Sequence, residues 1–224
     1  MIRFKPVRIF LDRSSEKDDI ALQLLYIYDD VPVVTVESER EVIEEAESAE
    51  DPIGYAKECL YLRQNKGAKI VACPGTKAHI CCGYKILDIA TGCGMDCSYC
   101  ILQSFLNNHV VTIYTNLEET EGELKKVLNA GRSWRIGTGE FTDSLFAESL
   151  ILISRRLVPH FKGRRNAVLE LKTKSDNVND ILDLGPSDRI IIAFSVNTEE
   201  LISTEEKGAT TLLQRINAAV RAAE

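Results

Sequence analysis

Three cysteines in one short loop are the residues of this chain best suited to chemistry. Cys93, Cys97 and Cys100 have the spacing C-x3-C-x2-C. Thiolates spaced in this way can converge on one metal centre. A closed structural zinc site needs four protein ligands, and so does an ordinary electron-transfer [4Fe–4S] cluster. Three cysteines therefore favour a [4Fe–4S] cluster in which one iron lacks a protein ligand and is open to a small molecule.

A zinc loop is the alternative interpretation of the same cysteines. Its fourth ligand would come from the segment just upstream, where His79, Cys81 and Cys82 are candidates. Structural zinc sites typically use two separate cysteine or histidine pairs, and that double pairing is absent from the sequence. The cluster is therefore the favoured interpretation, and a zinc-binding structural protein stays open as the alternative.

The elements on either side of the loop must position these cysteines. The apolar run 85–90 predicts a short buried strand, and 101–106 predicts the start of a helix. Strand-like and helical runs then alternate to the end of the chain. The further predicted strands are 110–114, 134–137, 167–172 and 189–195, and the further predicted helices are 117–130, 144–158, 177–184 and 210–223. This alternation predicts about five parallel βα units with right-handed connections.

The segment before the loop has a weaker pattern. Strands are predicted at 7–11, 31–36 and 69–72, and helices at 18–28 and 56–63. The acidic stretch 37–51 is expected to be an exposed loop or a weak helix. The predicted fold class is therefore α/β, with a small α/β extension at 1–72 and a partial (β/α) barrel at 73–224.

Polar residues follow the carboxyl ends of the predicted strands. In parallel α/β barrels the functional residues lie in the loops at these ends. After the cysteine loop, the corresponding segments along the chain are 114–116, 137–143, 172–175 and 195–197. The sequence therefore predicts that the functional site lies at this rim of the sheet.

Composition narrows the class of protein. The chain of 224 residues is 45% hydrophobic and 27% charged, as expected of a globular protein that buries a core. It has no apolar run of transmembrane length and no apolar signal-peptide core near Met1, and its seven cysteines fit a reducing compartment. We expect a cytoplasmic protein without a membrane partner. A net charge of −7 does not support DNA as a partner, although a local basic face is compatible with it.

The cysteine motif, with Tyr99 directly before its last cysteine, resembles the signature of the radical S-adenosylmethionine (SAM) superfamily. Within that superfamily, five segments resemble the spore photoproduct lyase family, in the same order along the chain. These segments are 90–103, 112–116, 135–143, 169–174 and 194–197. The likeness covers roughly residues 70–224, and 4–10 is also similar to the start of that family.

The resemblance implies a radical SAM enzyme, lyase-like, built on the partial barrel of that superfamily. Cys93, Cys97 and Cys100 would hold a [4Fe–4S] cluster, whose open iron would bind the amino and carboxylate groups of SAM. Reduction of the cluster would cleave SAM to a 5′-deoxyadenosyl radical. A reductant such as flavodoxin or ferredoxin is the implied partner, whereas the oligomeric state stays open.

The resemblance also implies a set of SAM contacts. The matching positions are Tyr99, Gly137, Gly139, Glu140, Lys174, Ser195 and Asn197. Tyr99 would lie near the adenine, and Glu140 would accept a hydrogen bond from the methionine ammonium. Lys174 would bind the methionine carboxylate. Ser195 and Asn197 would contribute hydroxyl and amide groups to the carboxylate or the ribose.

Two departures from the family matter for function. Enzymes of the family that repair the spore lesion use a cysteine as hydrogen donor, and Glu140 occupies the corresponding position here. This argues against lesion repair while leaving radical generation in place. Cys81, Cys82 and Cys73 are the candidate substitute donors, and packing residues or ligands of a second metal site are the alternative interpretations of these cysteines.

The second departure is length. The family continues through a sixth strand and a C-terminal region that helps to hold DNA, so this chain is expected to be a fragment or a shortened relative. A non-catalytic, truncated iron–sulfur protein is therefore the other alternative.

Overall fold

A computed structural model describes residues 4–73, 75, 80 and 82–224. The strands in this part of the chain are β1 (Arg8–Asp12), β2 (Val33–Val36), β3 (Cys59–Arg63), β4 (Ile70–Ala72), β5 (Lys85–Leu87), β6 (Ala90–Thr91), β7 (Val111–Tyr114), β8 (Trp134–Gly137), β9 (Ala167–Thr173) and β10 (Ile190–Phe194). The helices are α1 (Asp19–Ile27), α2 (Glu39–Glu47), α3 (Pro52–Glu58), α4 (Leu102–Phe105), α5 (Leu117–Leu128), α6 (Glu148–Ile151), α7 (Ile153–Phe161), α8 (Asn179–Leu182), α9 (Glu199–Glu205) and α10 (Leu212–Ala223). A short 3-10 helix, Arg13–Ser15, follows β1.

The strands form two mostly parallel sheets. The first has the order β2-β1-β3-β7-β6 and the second the order β10-β9-β8-β5-β4. Among the strands of the described residues, only β6 and β4, each at a sheet edge, pair antiparallel with their neighbours. Within the described residues the sheets do not close into a barrel. The predicted α/β class with parallel strands is confirmed, in an open arrangement.

The strand that leads into the cysteine loop joins the two sheets. It is interrupted after Leu87, so that β5 pairs with β8 in the second sheet and β6 pairs with β7 in the first. At the interruption, the Tyr114 amide donates a hydrogen bond to the Ile89 carbonyl, with an N···O distance of 3.1 Å. The cysteine loop therefore starts where the chain passes from the second sheet to the edge of the first.

The predicted helix at 56–63 is wrong in its second half. Helix α3 ends at Glu58, and Cys59–Arg63 is strand β3, which lies between β1 and β7. Residues Cys59 to Leu62 are all buried, because helices cover both faces of this sheet. A strand buried on both faces has a continuous apolar sequence, which periodicity alone does not distinguish from a helix. The hydrogen-bonded ladder thus continues from β1–β3 into β7, and the domain boundary at residue 72 stays a prediction.

Two other predicted elements differ from the structure. The acidic stretch contains a regular helix, α2, which buries Val42 and Ala46 beneath its charged residues. The long helix predicted at 144–158 is divided into α6 and α7 at Leu152, which has a left-handed backbone with φ 48°. A β-carbon makes this conformation uncommon outside glycine, asparagine and aspartate. Sequence periodicity therefore missed the break.

One apolar core spans the molecule. It contains Ile9 and Leu62 from the first sheet, Leu171 from the second, and Leu124 and Leu157 from helices α5 and α7. None of the helices in the described ranges is both long and apolar enough to cross a membrane.

The buried carboxyl group of Glu148 yields a testable stability prediction. It is 0% exposed and accepts hydrogen bonds from the Ser154 backbone amide at 3.1 and 3.2 Å, where α7 begins. Burial raises the pKa of Glu148 from 4.5 to about 7, although the Ser154 hydrogen bonds oppose the shift. The folded protein therefore holds this proton more tightly than the unfolded chain, and stability should fall as pH rises from about 4.5 to about 7.

Replacing Glu148 with glutamine is expected to remove that pH dependence. Glutamine keeps an acceptor for Ser154 but never ionises, so at pH 8 the variant should be more stable by up to about 3 kcal/mol. Urea unfolding between pH 4.5 and pH 8 measures the difference. Equal pH slopes for the two proteins would contradict the assignment.

Candidate functional site

The three cysteines of the motif line one open cleft at the rim of the sheets. The cleft has a volume of about 350 Å³, near the lower end of the usual range for sites that bind small molecules. The other charged or hydroxyl-bearing residues that line it are Tyr99, Glu140, Thr142, Asp143, Lys172, Thr173, Lys174 and Ser195. Tyr99 belongs to the cysteine loop after β6, Lys172 and Thr173 end strand β9, and the others lie in the segments that follow β8, β9 and β10. The structure thus brings together polar residues from the carboxyl ends of several strands.

The start of the cysteine loop is fixed by a close backbone approach. Gly92 has a positive φ of 74°, and a side chain there would lie 3.2 Å from the Val110 carbonyl oxygen. Its amide donates a hydrogen bond to the Phe141 carbonyl at 2.9 Å. Glycine at this position therefore lets the loop leave β6 against the backbone before β7, and ties it to the segment after β8.

Salt bridges hold the tip of the loop. Asp96 has φ 44° and forms ion pairs with Lys57 at 2.5 Å and Lys207 at 3.3 Å. These lysines come from α3 and from the segment after α9, so two segments that are distant in sequence hold the loop.

Burial affects two of the cysteine thiols strongly. It raises the pKa of Cys93 to about 12 and that of Cys97 to about 11, and the nearby Lys174 ammonium opposes the shift at Cys97. Without a bound metal these thiols are therefore protonated at neutral pH. Coordination to a metal deprotonates a thiol, so these side chains need a cation to become thiolates.

A second, smaller cavity reaches the same cysteines. Its volume is about 40 Å³, and it is lined by Cys93, Cys97 and Cys100 together with Lys57, Gln103 and His109. Gln103 Nε2 donates a hydrogen bond to the Cys97 carbonyl at 2.7 Å, which links α4 to the loop.

Of the three predicted site residues at the end of β8 and just after it, two line the large cleft and one does not. Gly139 and Glu140 line the large cleft, as the sequence predicted for this rim. A side chain at Gly139 would approach Ser144 Oγ to 2.7 Å and Lys172 Cβ to 3.1 Å, so glycine is required for packing. Gly137 lies outside the cleft lining. Its missing side chain makes room for Tyr84, whose hydroxyl would be only 1.8 Å from an added β-carbon.

Asp143 is a cleft residue that the sequence did not single out by itself. Its carboxylate accepts hydrogen bonds from the Lys174 amide at 2.6 Å, the Thr173 hydroxyl at 2.7 Å and the Leu145 amide at 2.9 Å. Burial raises the pKa of Asp143 even though these hydrogen bonds oppose the shift. Asp143 thereby fixes the backbone from which the Lys174 side chain projects. Nearby, the buried Thr142 hydroxyl has no hydrogen-bond partner among the described residues.

Tyr99, Lys174, Ser195 and Asn197 converge at one end of the cleft. Lys174 Nζ lies 5.7 Å from the centroid of the Tyr99 ring, and Asn197 Nδ2 donates to the Tyr99 hydroxyl at 3.0 Å. The Ser195 amide donates to the Thr173 carbonyl at 2.8 Å, which aligns the end of β10 with β9. Except for Gly137, the predicted SAM contacts thus surround the cleft or touch a residue that lines it.

Glu206 and Arg215 complete this end of the site and were missed at the level of sequence. They form a buried ion pair at 2.5 Å, and Glu206 also accepts a hydrogen bond from the Tyr99 hydroxyl. A glutamate and an arginine nine residues apart follow no helix or strand period, so no local pattern identifies them.

The upstream cysteines stand apart from this arrangement. Of the cysteines that the structure describes, Cys73 and Cys82 are not among those lining the cleft, and Cys82 is exposed. Cys81 and His79 lie outside the described residues. A hydrogen donor among Cys73, Cys81 and Cys82 stays a prediction, as does the zinc ligand set. In the described ranges, no group of three or more His, Cys, Asp or Glu side chains is arranged to hold a single metal ion.

Comparison with known proteins gives one family. The family model described as spore photoproduct lyase matches residues 75–224. Spore photoproduct lyase of Bacillus subtilis (strain 168) is 28% identical over 141 residues, which are 62% of this chain and 41% of that protein. The corresponding enzyme of Geobacillus sp. (strain Y412MC61) is 25% identical over 140 residues, or 61% and 41% of the two chains. The chain therefore matches about two fifths of the length of these curated relatives.

Solved structures show the same fold. A spore photoproduct lyase mutant with bound AdoMet and dinucleoside spore photoproduct has a TM-score of 0.85 at 20% identity, covering 99% of this chain and 65% of that one. Spore photoproduct lyase complexed with dinucleoside spore photoproduct has a TM-score of 0.82 at 18% identity, with coverage of 99% and 65%. The likeness includes the N-terminal segment that precedes the region matched by the family model. Because that model covers well over half of the sequence, the chain belongs to the spore photoproduct lyase family.

Proposed function

We propose that this chain binds a [4Fe–4S] cluster through Cys93, Cys97 and Cys100 and reductively cleaves SAM bound beside it. The observation that carries the proposal is the convergence of these cysteines with Glu140 and Lys174 in one cleft. The three thiols supply three of the four ligands that a cubane requires, which leaves one iron for the cofactor. Once bound and reduced, the cluster and SAM together supply a 5′-deoxyadenosyl radical, the reactive species implied by the family.

The charged groups of the cleft match the charges of SAM. The Glu140 carboxylate can accept a hydrogen bond from the methionine ammonium, and the Lys174 ammonium can pair with the methionine carboxylate. The Tyr99 ring, half exposed at the cleft wall, offers an apolar face to the adenine. In this arrangement Glu140 and Lys174 would orient the methionine end, and Tyr99 the nucleoside end.

A hydrogen-transfer route different from lesion repair is part of the proposal. Glu140 lines the cleft where the family's repair enzymes have their donor cysteine, and a carboxylate does not donate a hydrogen atom as a thiol does. The chain's substrate is therefore proposed to differ from the spore lesion. The likeness to the lyases suggests DNA as a partner. The net charge of −7 does not favour that partner, because the phosphate backbone of DNA is also negative.

Anaerobic reconstitution with iron and sulfide tests the proposal against its alternatives. A brown protein with about four irons per chain is expected, and reduction in the presence of SAM should yield 5′-deoxyadenosine. A cluster without this product would favour the non-catalytic iron–sulfur protein. Tight binding of one zinc ion, with no iron–sulfur cluster formed, would favour the structural zinc protein.

Replacing Glu140 with glutamine is expected to weaken SAM binding about tenfold or more while leaving iron content unchanged. A hydrogen bond to a charged group contributes about 1.5–3 kcal/mol, and about 1.4 kcal/mol corresponds to a factor of ten. Equilibrium dialysis with labelled SAM measures the affinity of the reconstituted protein. Glu47→Gln, on the exposed face of α2, is the matched control and should bind SAM like the wild type. Unchanged affinity of Glu140→Gln would assign Glu140 another role.

A further inference from the structure

The segment that follows α9 is fastened to the cysteine loop by its backbone. The Ser98 amide donates to the Glu205 carbonyl at 2.9 Å, and the Gly208 amide donates to the Met95 carbonyl at 2.8 Å. Between these bonds, Cys97 and Glu206 form an antiparallel bridge. Glu206 is therefore held directly beside a cysteine of the motif, independently of its side chain.

The side chain of Glu206 is a buried acceptor shared by three donors. Its carboxylate accepts from Arg215 Nη2 at 2.5 Å, from Asn197 Nδ2 at 2.7 Å and from the Tyr99 hydroxyl. Glu206 is 1% exposed and Arg215 is 0% exposed. The Glu206 carboxylate is thus buried directly beside Tyr99, with three hydrogen-bond donors around it, one of them the Arg215 guanidinium.

This carboxylate dictates the polarity of its neighbours. Because the Glu206 carboxylate pairs with the Arg215 guanidinium, it acts as a hydrogen-bond acceptor, so the Tyr99 hydroxyl donates to it and the Asn197 amide nitrogen faces it. The same Asn197 nitrogen also donates to the Tyr99 oxygen at 3.0 Å. The donors of both side chains are therefore used within the protein. For a ligand, Tyr99 retains its ring face and Asn197 its carbonyl oxygen, which can accept from a nucleoside hydroxyl or amino group.

We infer that Glu206 is a positioning residue for the nucleoside part of the ligand, because it fixes the Tyr99 ring and the Asn197 amide in one orientation. The inference rests on the proposed binding of SAM in this cleft. Tyr99 is 50% exposed, so without Glu206 only the hydrogen bond from Asn197 would restrain its hydroxyl. Ordering a free side chain when a ligand binds lowers affinity, and preorganising it avoids that loss.

Glu206→Gln separates this role from a purely structural one. Arg215 requires an acceptor, so the glutamine oxygen would face Arg215 and its amide group would face the Asn197 amide, donor against donor, while the Tyr99 hydroxyl would change from donor to acceptor. SAM affinity is expected to fall about fivefold to tenfold, with iron content unchanged. Glu205→Gln is the matched control, because the Glu205 side chain contacts Ser98 instead of Tyr99. The control should bind SAM with wild-type affinity.

Two further measurements do not depend on catalytic activity. In cluster-free protein labelled with 13C at tyrosine Cζ, the Tyr99 resonance, assigned with Tyr99→Phe, should move in Glu206→Gln and stay in place in Glu205→Gln. In the SAM binding assay, the loss of affinity caused by Glu206→Gln should be smaller when Tyr99 is already replaced with phenylalanine than in the wild type. Residues that act through each other are non-additive in this way, whereas an unspecific loss of structure would add to the effect of Tyr99→Phe.

The outcomes distinguish the inference from the function on which it rests. A Tyr99 resonance unchanged by Glu206→Gln would overturn the inferred contact whether or not SAM binds. A moved resonance with wild-type SAM affinity would overturn the positioning role alone, and so would additive effects of the two substitutions. A wild-type chain that holds a cluster but does not bind SAM would overturn the proposed function, and the positioning role with it.

Discussion

Replacing Cys97 with alanine is expected to abolish cluster assembly completely, and Cys93→Ala and Cys100→Ala should do the same. A cluster held by only three cysteines has no spare protein ligand, and among the described residues no other cysteine lines the cleft. In the described part of the chain, Cys59 is buried in the core and Cys82 is exposed outside the cleft. Iron and sulfide analysis after anaerobic reconstitution measures the loss.

The control for this prediction is Cys82→Ala, which should keep about four irons per chain. The same variant tests the zinc alternative, in which Cys82 is a candidate fourth ligand. If Cys82→Ala loses its metal together with the three motif variants, a four-ligand site is favoured. Conversely, a Cys97→Ala protein that retains about four irons would refute the assignment of the cysteine loop.

The parts of the fold that the sequence predicted are those specified locally. Strand β9 and helix α5 have clear periodicity and turn residues at their ends, and both occur where predicted. The rim was also predictable, because the carboxyl ends of parallel strands meet at one edge. Glu140 and Lys174 follow different strands, β8 and β9, and the sheet brings them to the same cleft.

What the sequence left out depends on contacts between distant segments. Cys59–Arg63 is a strand because it pairs with β1 and β7. Both partners are distant from it in sequence, one before it and one after it. The interruption between β5 and β6 follows from pairing with two different sheets. Both features depend on pairing between distant segments, so the local sequence pattern does not predict them.

In the candidate site too, the residues that form a local sequence motif were predicted, and those that depend on long-range contacts were not. The cysteine spacing is a local pattern and identified the loop directly, whereas Glu206 matters only because the chain returns to that loop about a hundred residues later. Arg215 lies on an otherwise amphipathic helix, where an arginine is usually solvated. Its complete burial follows from the partner that the fold supplies.

Breaking the buried pair of Glu206 and Arg215 is expected to produce the largest single loss of stability. Arg215→Met would leave the Glu206 carboxylate buried without its cation, and the Ser195 carbonyl would lose its bond from Arg215 Nη1 at 3.0 Å. Removing one partner of a buried ion pair typically costs about 3–5 kcal/mol. Arg40→Met, at an exposed pair on α2, is the control and should leave the unfolding midpoint nearly unchanged.

A double-mutant cycle shows where that loss comes from. The cycle combines Arg215→Met with Glu206→Leu and follows urea unfolding by circular dichroism. If the cost of the single variant is mainly an uncompensated buried charge, the double variant should regain much of the lost stability, because neither charge remains to be desolvated. The double variant should nevertheless lack the hydrogen bonds to Tyr99 and Asn197. Costs that simply add in the double variant would mean that the two side chains stabilise the fold separately, and that the pair does not act as a unit.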